Sequence, residues 1–445
     1  MTQTIITLLP FDKTLSMLEI KKESLQENGT FFVICSSEYD KDGNVIHDFL
    51  DIISAATKLG YTYVNTIVYP TQSVQSVSFN DNVRYVVWLC KDHTLMKLNK
   101  DAIREKHIWK DVEWGKREKN YNPKGKDPGN VWIPTEDDGC ANITEHILLS
   151  DEQIVERLLS LANCGKNYES YIGKLPNCKI EHAPNNISNN ATRHSCEGRV
   201  LFKTAEDMYD LEDESVSVVV TSPPYWNLKD YFKEGQIGQE GYDVYLKRMK
   251  AVWNECYNKL SVNGSLWVNI NIRVQAGQVI SIPHDFVKIC KEIGFYYKGI
   301  IIWHKSSGIP TSDKNIVDRH EYVLVFTKAE GFYVDKAVQA SFGDYKNHSI
   351  NGGAFWNINR KAGSVGKKYI HPAIYPNDLV SRIIRLASVE GDLVVDPFLG
   401  SGTSLIASLQ CNRNFVGYEY NEGFKELMES RFEKELSRDQ DVRFS

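Results

Sequence analysis

Apolar residues in this chain fall into short solid runs, separated by stretches where they recur every three or four positions. Near the start, Phe31-Phe-Val-Ile34 predicts a buried strand, residues 47–59 a helix, and 61–69 and 83–90 two more strands. From residue 200 the alternation becomes regular. Val216-Ser-Val-Val-Val220, Ser265-Leu-Trp-Val-Asn-Ile270, Tyr297–Trp303, Tyr322-Val-Leu-Val-Phe326, Asp392-Leu-Val-Val395 and Phe415-Val-Gly-Tyr-Glu419 read as strands. Residues 243–260, 284–293, 376–388 and 404–410 read as helices, the first with an apolar stripe through Tyr245, Met249, Val252, Trp253 and Cys256. Asn263-Gly264 reads as a turn. Such alternation predicts an α/β, doubly wound, mostly parallel sheet covered by helices on both faces.

Two stretches break the pattern. Residues 91–127 carry eleven Lys or Arg against seven acids, with Trp109, Trp114 and Tyr121 interleaved. A solvated face is the commoner meaning of mixed charge; phosphate contact gains weight only if the remainder points to nucleic acid. Residues 166–199 are rich in Asn around Asn185-Asn-Ile-Ser-Asn-Asn190 and hold no apolar period, which predicts a linker or long surface loop.

At 445 residues, 42% hydrophobic and 25% charged, the chain is long enough for two or three domains. No apolar run approaches the ~18 residues of a membrane helix. The first ten residues lack the flanks of a signal peptide. Nine scattered cysteines without a Cys-x-x-Cys pair argue against a disulfide framework or a zinc site, and for a reducing cytoplasm. A net charge of −6 confines any nucleic-acid contact to local basic patches.

The chain resembles itself. Thr4–Phe11 lies over Val218–Tyr225, Asn28–Ile34 over Asn263–Asn269, His47-Asp-Phe49 over His284-Asp-Phe286, and Gly60-Tyr61 over Gly294-Phe295. Arg84–Lys91 falls in the place of His320–Lys328, and Ile147–Ala162 resembles Ala373–Ala387, all in one order. The expected domains are therefore a first copy over 1–165, the linker, and a second copy over 200–445.

Two stretches of the second copy carry candidate chemistry. Thr221-Ser-Pro-Pro-Tyr-Trp226 ends an apolar strand, and its two prolines have no N–H to continue a ladder. The stiff turn leaves the Ser222 hydroxyl and nearby carbonyls free to accept hydrogen bonds beside Tyr225 and Trp226, which suits a planar, amino-bearing ring. A proline-terminated strand with two core aromatics is the plain alternative. Asp396-Pro-Phe-Leu-Gly-Ser-Gly-Thr403 joins a strand to a helix, and Gly400 and Gly402 let the backbone turn tightly beside a ligand. Glu419, at the end of the next strand, can accept both hydroxyls of a ribose. No Gly-Lys-Ser/Thr is present, so this is not a phosphate-binding P-loop.

Together these motifs resemble the S-adenosylmethionine-dependent DNA amino-methyltransferases, in the order of their beta class. Ile302-Trp-His-Lys305, His371-Pro-Ala-Ile-Tyr-Pro376 and Phe415–Asn421 support the resemblance, which covers about 200–432. It implies that Ser222, Pro223, Pro224 and Tyr225 form the catalytic turn. Asp396, Pro397, Phe398, Gly400, Ser401, Gly402, Thr403 and Glu419 would hold S-adenosyl-L-methionine, with His371 and Pro372 at its methionine end. The acid beside the cofactor adenine is either Glu206 or Asp207. A Ser-Pro-Pro-Tyr core usually accompanies cytosine-N4 methylation and Asp-Pro-Pro-Tyr adenine-N6, so cytosine is the expected target and adenine the alternative. A non-catalytic DNA-binding or specificity subunit is the rival of another class.

The implied reaction is direct transfer to an exocyclic amine, with no cysteine nucleophile or metal. The target base must be flipped out of the duplex and stacked on Tyr225. Double-stranded DNA is the expected partner, a cognate restriction endonuclease is a possible further one, and no membrane is involved. Trp226, Lys229, Arg360 and Lys361, the last two within a target-recognition region at 329–370, are expected to contact DNA, with Lys116 and Arg117 from the first copy. That copy has Leu8 and Leu9 where the second has Ser222 and Pro223 and lacks the glycine turn, so it should be a catalytically dead partner in an internal pseudo-dimer, the chain itself being a monomer.

Overall fold

The computed structural model describes residues 1–71, 82–104, 124–133, 148–175, 196–228, 233–305, 314–343, 353–359, 375–436 and 440–445. They form two large sheets and two two-stranded hairpins, 38–47 and 273–280. The first is built from β1 (Thr2–Leu8), β2 (Leu25–Cys35), β3 (Thr62–Pro70), β4 (Val83–Cys90) and β5 (Tyr168–Ile172), in the order β3-β4-β2-β1-β5. β1 pairs in parallel with β2 and β5, while β4 is antiparallel to both β2 and β3. Its helices are α1 (Phe11–Lys21), α2 (Phe49–Lys58) and α3 (Asp151–Ala162). Capping boxes start two of these, Asp48 with Asp51 at α2 and Ser150 with Gln153 at α3, which is why both begin where they do.

The second sheet contains β6 (Glu197–Leu201), β7 (Val216–Thr221), β8 (Leu260–Ile270), β9 (Tyr296–His304), β10 (His320–Thr327), β11 (Phe355–Asn357), β12 (Leu393–Asp396), β13 (Asn414–Tyr418) and β14 (Asp441–Phe444). Their order is β11-β9-β10-β8-β7-β12-β13-β6-β14, parallel except where β10 meets β8 and β9. Helices α4 (Tyr242–Lys259), α5 (Ile282–Ile293), α6 (Asn377–Ala387), α7 (Thr403–Gln410) and α8 (Lys425–Glu435) flank it. The central strands are covered on both faces, which explains their unbroken apolar runs: Val218, Val219 and Val220 are all buried. The expected stripe of α4 is buried throughout. The mixed α/β sheet agrees with the fold expected from sequence.

The sheets repeat each other in register. Thr2 pairs with Leu25 and Thr4 with Thr30; likewise Val216 pairs with Leu260 and Val218 with Ser265, so the same irregularity falls at Asn28-Gly29 and Asn263-Gly264. The predicted turn at Asn263-Gly264 is thus a bulge inside β8. Thr30 to Cys35 pair with Cys90 to Tyr85 just as Ser265 to Ile270 pair with Thr327 to Tyr322. The β3/β4 ladder slips between Tyr63 and Asn65, and β9/β10 between Tyr297 and Gly299. β5 adds to β1 as β12 adds to β7, Thr4 opposite Tyr168 and Val218 opposite Val394.

Two expectations need correction. The segment 166–199 does not begin as a linker: Tyr168–Ile172 is the fifth strand of the first sheet, and Glu197–Leu201 already belongs to the second. Exposed and half-buried positions alternate along Tyr168–Ile172, so it carries no apolar run. The His-Asp-Phe match is one helical turn out of step. Both helices end on a glycine with positive φ, Gly60 and Gly294, and the strands beyond start at Thr62 and Tyr296. Counting back from these ends sets Asp285 opposite Asp51 rather than opposite Asp48.

The two units share an extensive interface. α2 touches α5, the hairpin 38–47 leans on β9, and the hairpin 273–280 leans on β3. Tyr297 donates to Asp48 at 2.8 Å, Lys298 to Asn44 at 2.6 Å and Lys291 to the Val45 carbonyl at 3.0 Å. His284 stands 3.6 Å from Asp51 and 3.7 Å from Asp285.

Candidate active site

β7 and β12 are adjacent parallel strands, so the turns leaving their carboxyl ends open side by side. This is where open α/β sheets place ligands. Each turn is held by a different set of side chains.

At the end of β7, Tyr245 donates to the Pro224 carbonyl at 2.7 Å. Arg273 donates to the Tyr225 carbonyl at 2.9 Å and to Asn227 at 2.8 Å. The Pro223 carbonyl receives no hydrogen bond among the described residues. The Tyr225 hydroxyl donates to Glu321 at 2.9 Å, and the Asn269 amide lies 2.9 Å from Glu321, 3.1 Å from the Tyr225 hydroxyl and 3.4 Å from Ser222 Oγ. Lys305 completes the set, 2.8 Å from Glu321 and almost fully buried. Burial by itself would push the Glu321 carboxyl up; the Lys305 ammonium and three donated hydrogen bonds overcome it and hold the group below its ordinary value. Trp226 has φ of +49°, unusual for a non-glycine residue, and its indole donates to the Glu240 carbonyl at 2.7 Å while its ring meets Tyr242 edge-on. In this arrangement the indole packs against the chain's own loop.

At the end of β12, Asp396 is fully buried and accepts from the Phe398 amide at 2.9 Å, Ser404 at 2.5 Å and Tyr375 at 3.1 Å. Burial pushes its carboxyl up. Gly400 and Gly402 both have positive φ, and a Cβ on Gly402 would stand 2.8 Å from Phe432. Arg431 braces the turn from behind, donating to the Ser401 carbonyl, Ser401 Oγ and Thr403 Oγ1 at 2.8, 3.0 and 2.9 Å. The Ser401 and Thr403 hydroxyl oxygens are therefore both engaged by Arg431. Glu419 accepts from the Gly400 amide at 2.8 Å and the Asn421 amide at 2.7 Å. Each oxygen keeps lone pairs for a diol, and burial lifts this carboxyl to about 7.

The sequence matches the DNA methylase family over residues 216–430. The type II methyltransferase M.Cfr9I of Citrobacter freundii is 31% identical over 261 residues, 51% of this chain and 84% of that protein. M.SmaI of Serratia marcescens is 29% identical over 266 residues, covering 52% and 89%. This chain belongs to the DNA methylase family. Among solved structures, the PvuII DNA methyltransferase (cytosine-N4-specific) aligns with TM-score 0.45 at 21% identity, over 54% of this chain and 87% of that one. TTHA0409 of Thermus thermophilus, complexed with S-adenosyl-L-methionine, aligns with TM-score 0.43 at 25% identity, over 56% and 99%.

As a DNA methylase the chain is an S-adenosylmethionine-dependent enzyme acting on DNA, and its β12 turn fits that cofactor. The glycines leave the backbone open, and the Glu419 carboxylate, anchored by two amides, suits ribose hydroxyls. Of the two acids considered for the adenine, Glu206 is already taken by Arg248, which donates to it at 2.9 and 2.7 Å and holds its carboxyl low. Asp207 is exposed and caps the Tyr209 amide at 3.1 Å. Lys116, Arg117, Lys229, Arg360, Lys361, His371 and Pro372 lie outside the described residues.

The turn of the first unit at the corresponding place is closed. The Phe11 amide donates to Glu38 at 2.9 Å, and the Phe11 ring stacks on His47 with centroids 3.9 Å apart. The cavity beside Leu9, Cys35 and Asp48 measures about 10 Å³, no more than one water needs.

Asn269, Arg273, Lys305, Glu321 and Arg431 were not singled out from the sequence as site residues. Each is a polar side chain beside or within a strong apolar element, a pattern that marks buried polar networks but not their partners.

Proposed function

We propose that this enzyme methylates the exocyclic N4 amine of cytosine in DNA, at Ser222. The observation that carries the reading is the pair of acceptors at the end of β7. Ser222 Oγ and the Pro223 carbonyl stand beside the cofactor turn, and neighbouring side chains occupy the carbonyls of Pro224 and Tyr225. An exocyclic amine is a weak nucleophile because its lone pair is delocalised into the ring. Two acceptors on its N–H groups favour a tetrahedral nitrogen whose lone pair points away from them, so positioning and electrostatics supply most of the rate. Bound S-adenosylmethionine supplies the electrophilic methyl group. The base has to leave the duplex to reach this turn, and Tyr225, anchored through its hydroxyl, would present its ring to it. Mass spectrometry of nucleosides from DNA incubated with enzyme and cofactor should show N4-methylcytosine; N6-methyladenine would replace this reading with its nearest rival.

The first unit, on our reading, is a degenerate and non-catalytic copy of the second, joined to it as an internal pseudo-dimer. Identical ladder registers and the reciprocal hairpin contacts support this. The filled turn at Phe11 supports loss of chemistry. The basic segment 91–127 would then serve DNA contact.

A further inference from the structure

Each unit contains a short strap of the form Gly-x-x-Trp that precedes its helix α3 or α6. In the first it is Gly129-Asn-Val-Trp132 and in the second Gly353-Ala-Phe-Trp356. Trp132 donates to its own Gly129 carbonyl at 3.0 Å, and Trp356 to Gly353 at 3.1 Å. Each strap pairs with a strand of its own unit, Val131 with Val68 of β3 and Phe355 with Ile302 of β9. Each also presses on the other unit, the first strap just before β10 and the second just before β4. A Cβ on Gly129 would stand 2.6 Å from Arg319, and one on Gly353 would collide with Asn82.

The symmetry fails at one residue. The second strap has Ala354 where the first has Asn130, so only the first sends a polar side chain across. Asn130 is buried at 1% exposure. Its Oδ1 accepts from the Arg319 amide at 2.8 Å, and its Nδ2 donates to Asp318 at 2.8 Å and to Asn65 at 3.0 Å. Its backbone amide donates to the Val317 carbonyl at 2.9 Å. Asp318 also accepts from Asn271 at 3.2 Å, two residues beyond Asn269. The Arg319 carbonyl accepts from the Lys305 amide at 2.7 Å, and the next residues lead to Glu321, which holds Tyr225.

We infer that Asn130 of the non-catalytic unit is a positioning residue for the active site of the other. It fixes the run Val317–Glu321, and through Glu321 and Asn271 the geometry of the Ser222–Tyr225 turn. The inference builds on the proposed methyl transfer, and it explains why a unit with a closed turn is kept against the catalytic one: the active site lacks a support when that unit is absent.

The test uses the full chain. Asn130→Ala should leave S-adenosylmethionine affinity near wild type, because the cofactor turn does not touch the strap, and should lower the melting temperature, because Asp318, Asn65 and the Arg319 amide each lose a buried partner. Single-turnover methyl transfer should fall about tenfold or more with little change in KM for DNA, as misplacement of reacting groups predicts. Amide exchange over 225–228 and 317–321 should speed up by about tenfold. The exchange of chemistries in Asn130→Asp with Asp318→Asn keeps the hydrogen bond to residue 318 with its donor reversed but leaves the Asn65 oxygen without its donor, so it should restore both quantities in part. Unchanged exchange and unchanged rate in Asn130→Ala would overturn the proposal, as would a double variant no better than Asn130→Ala in both. Should wild type transfer no methyl to DNA, the functional reading fails instead, and the exchange measurement still decides the strap.

Discussion

The Glu321 carboxylate accepts the Tyr225 hydroxyl at 2.9 Å, so the aromatic of the Ser-Pro-Pro-Tyr turn is tied to a strand two places away in the sheet. Glu321 is in turn paired with Lys305, whose side chain is 3% exposed. Removing one member of such a pair leaves an uncompensated buried charge. Glu321→Gln should cost about 3 kcal/mol or more of stability, in line with broken buried pairs. Adding Lys305→Met should recover part of it. Denaturant melts of the two single variants and the double variant check this; additive losses would mean that the pair is not coupled.

Ser222→Ala removes one of the two proposed acceptors without touching Asp396 or Glu419. Methyl transfer should slow about a hundredfold, as when one donor is deleted from an oxyanion hole. Cofactor affinity and fold should stay close to wild type. Unchanged turnover in a single-turnover assay would remove Ser222 from the mechanism.

A Glu419 carboxylate that holds the cofactor ribose predicts a pH dependence of definite sign for cofactor binding. Burial raises its carboxyl to about 7, and ribose hydroxyls donate better to the charged form. Affinity for S-adenosylmethionine should therefore rise with pH through 7 and fall below it. Calorimetric titrations at pH 6 and pH 8 measure the difference, and Glu419→Gln should bind more weakly and abolish it.

His284 does the same for stability at the interface between the units. Asp285 and Asp51 hold its imidazolium, raising it to about 9, against ~6.5 for an unperturbed histidine. A raised group contributes stability that is fully present below about 6.5 and is lost as pH climbs through about 9. Asp48, raised to about 6 by burial, titrates in a lower window, whereas Lys298, lowered to about 8 by burial, titrates within this one and gains stability as pH rises. Lys298 is common to both proteins, so between pH 7 and pH 9.5 wild type should lose melting temperature relative to His284→Gln. Equal losses in both would show that the interface does not feel this charge.

The strands and helices around the site were largely legible in the sequence, because buried parallel strands must be solid apolar runs and amphipathic helices must show a stripe. Ser-Pro-Pro-Tyr and Asp-Pro-Phe-Leu-Gly-Ser-Gly-Thr were legible for a related reason: prolines without an N–H and glycines with positive φ are local backbone demands. Tyr168–Ile172 escaped notice because an edge strand with half-exposed faces needs no apolar run. The His-Asp-Phe match misled by one turn, since a helix repeats its environment every three or four residues and three letters cannot set its phase.

The sequence by itself determined two α/β units and the turns where chemistry can occur, since both follow from local periodicity and local backbone constraints. Only the tertiary structure decided which side chains hold those turns. Asn269, Lys305 and Glu321 come together through strand pairing, Arg431 reaches Ser401 across 30 positions, and Asn130 reaches Asp318 from 188 positions away. Hydrogen bonds of that span depend on ladder register and on the docking of one unit against the other, and no local pattern along the chain encodes either.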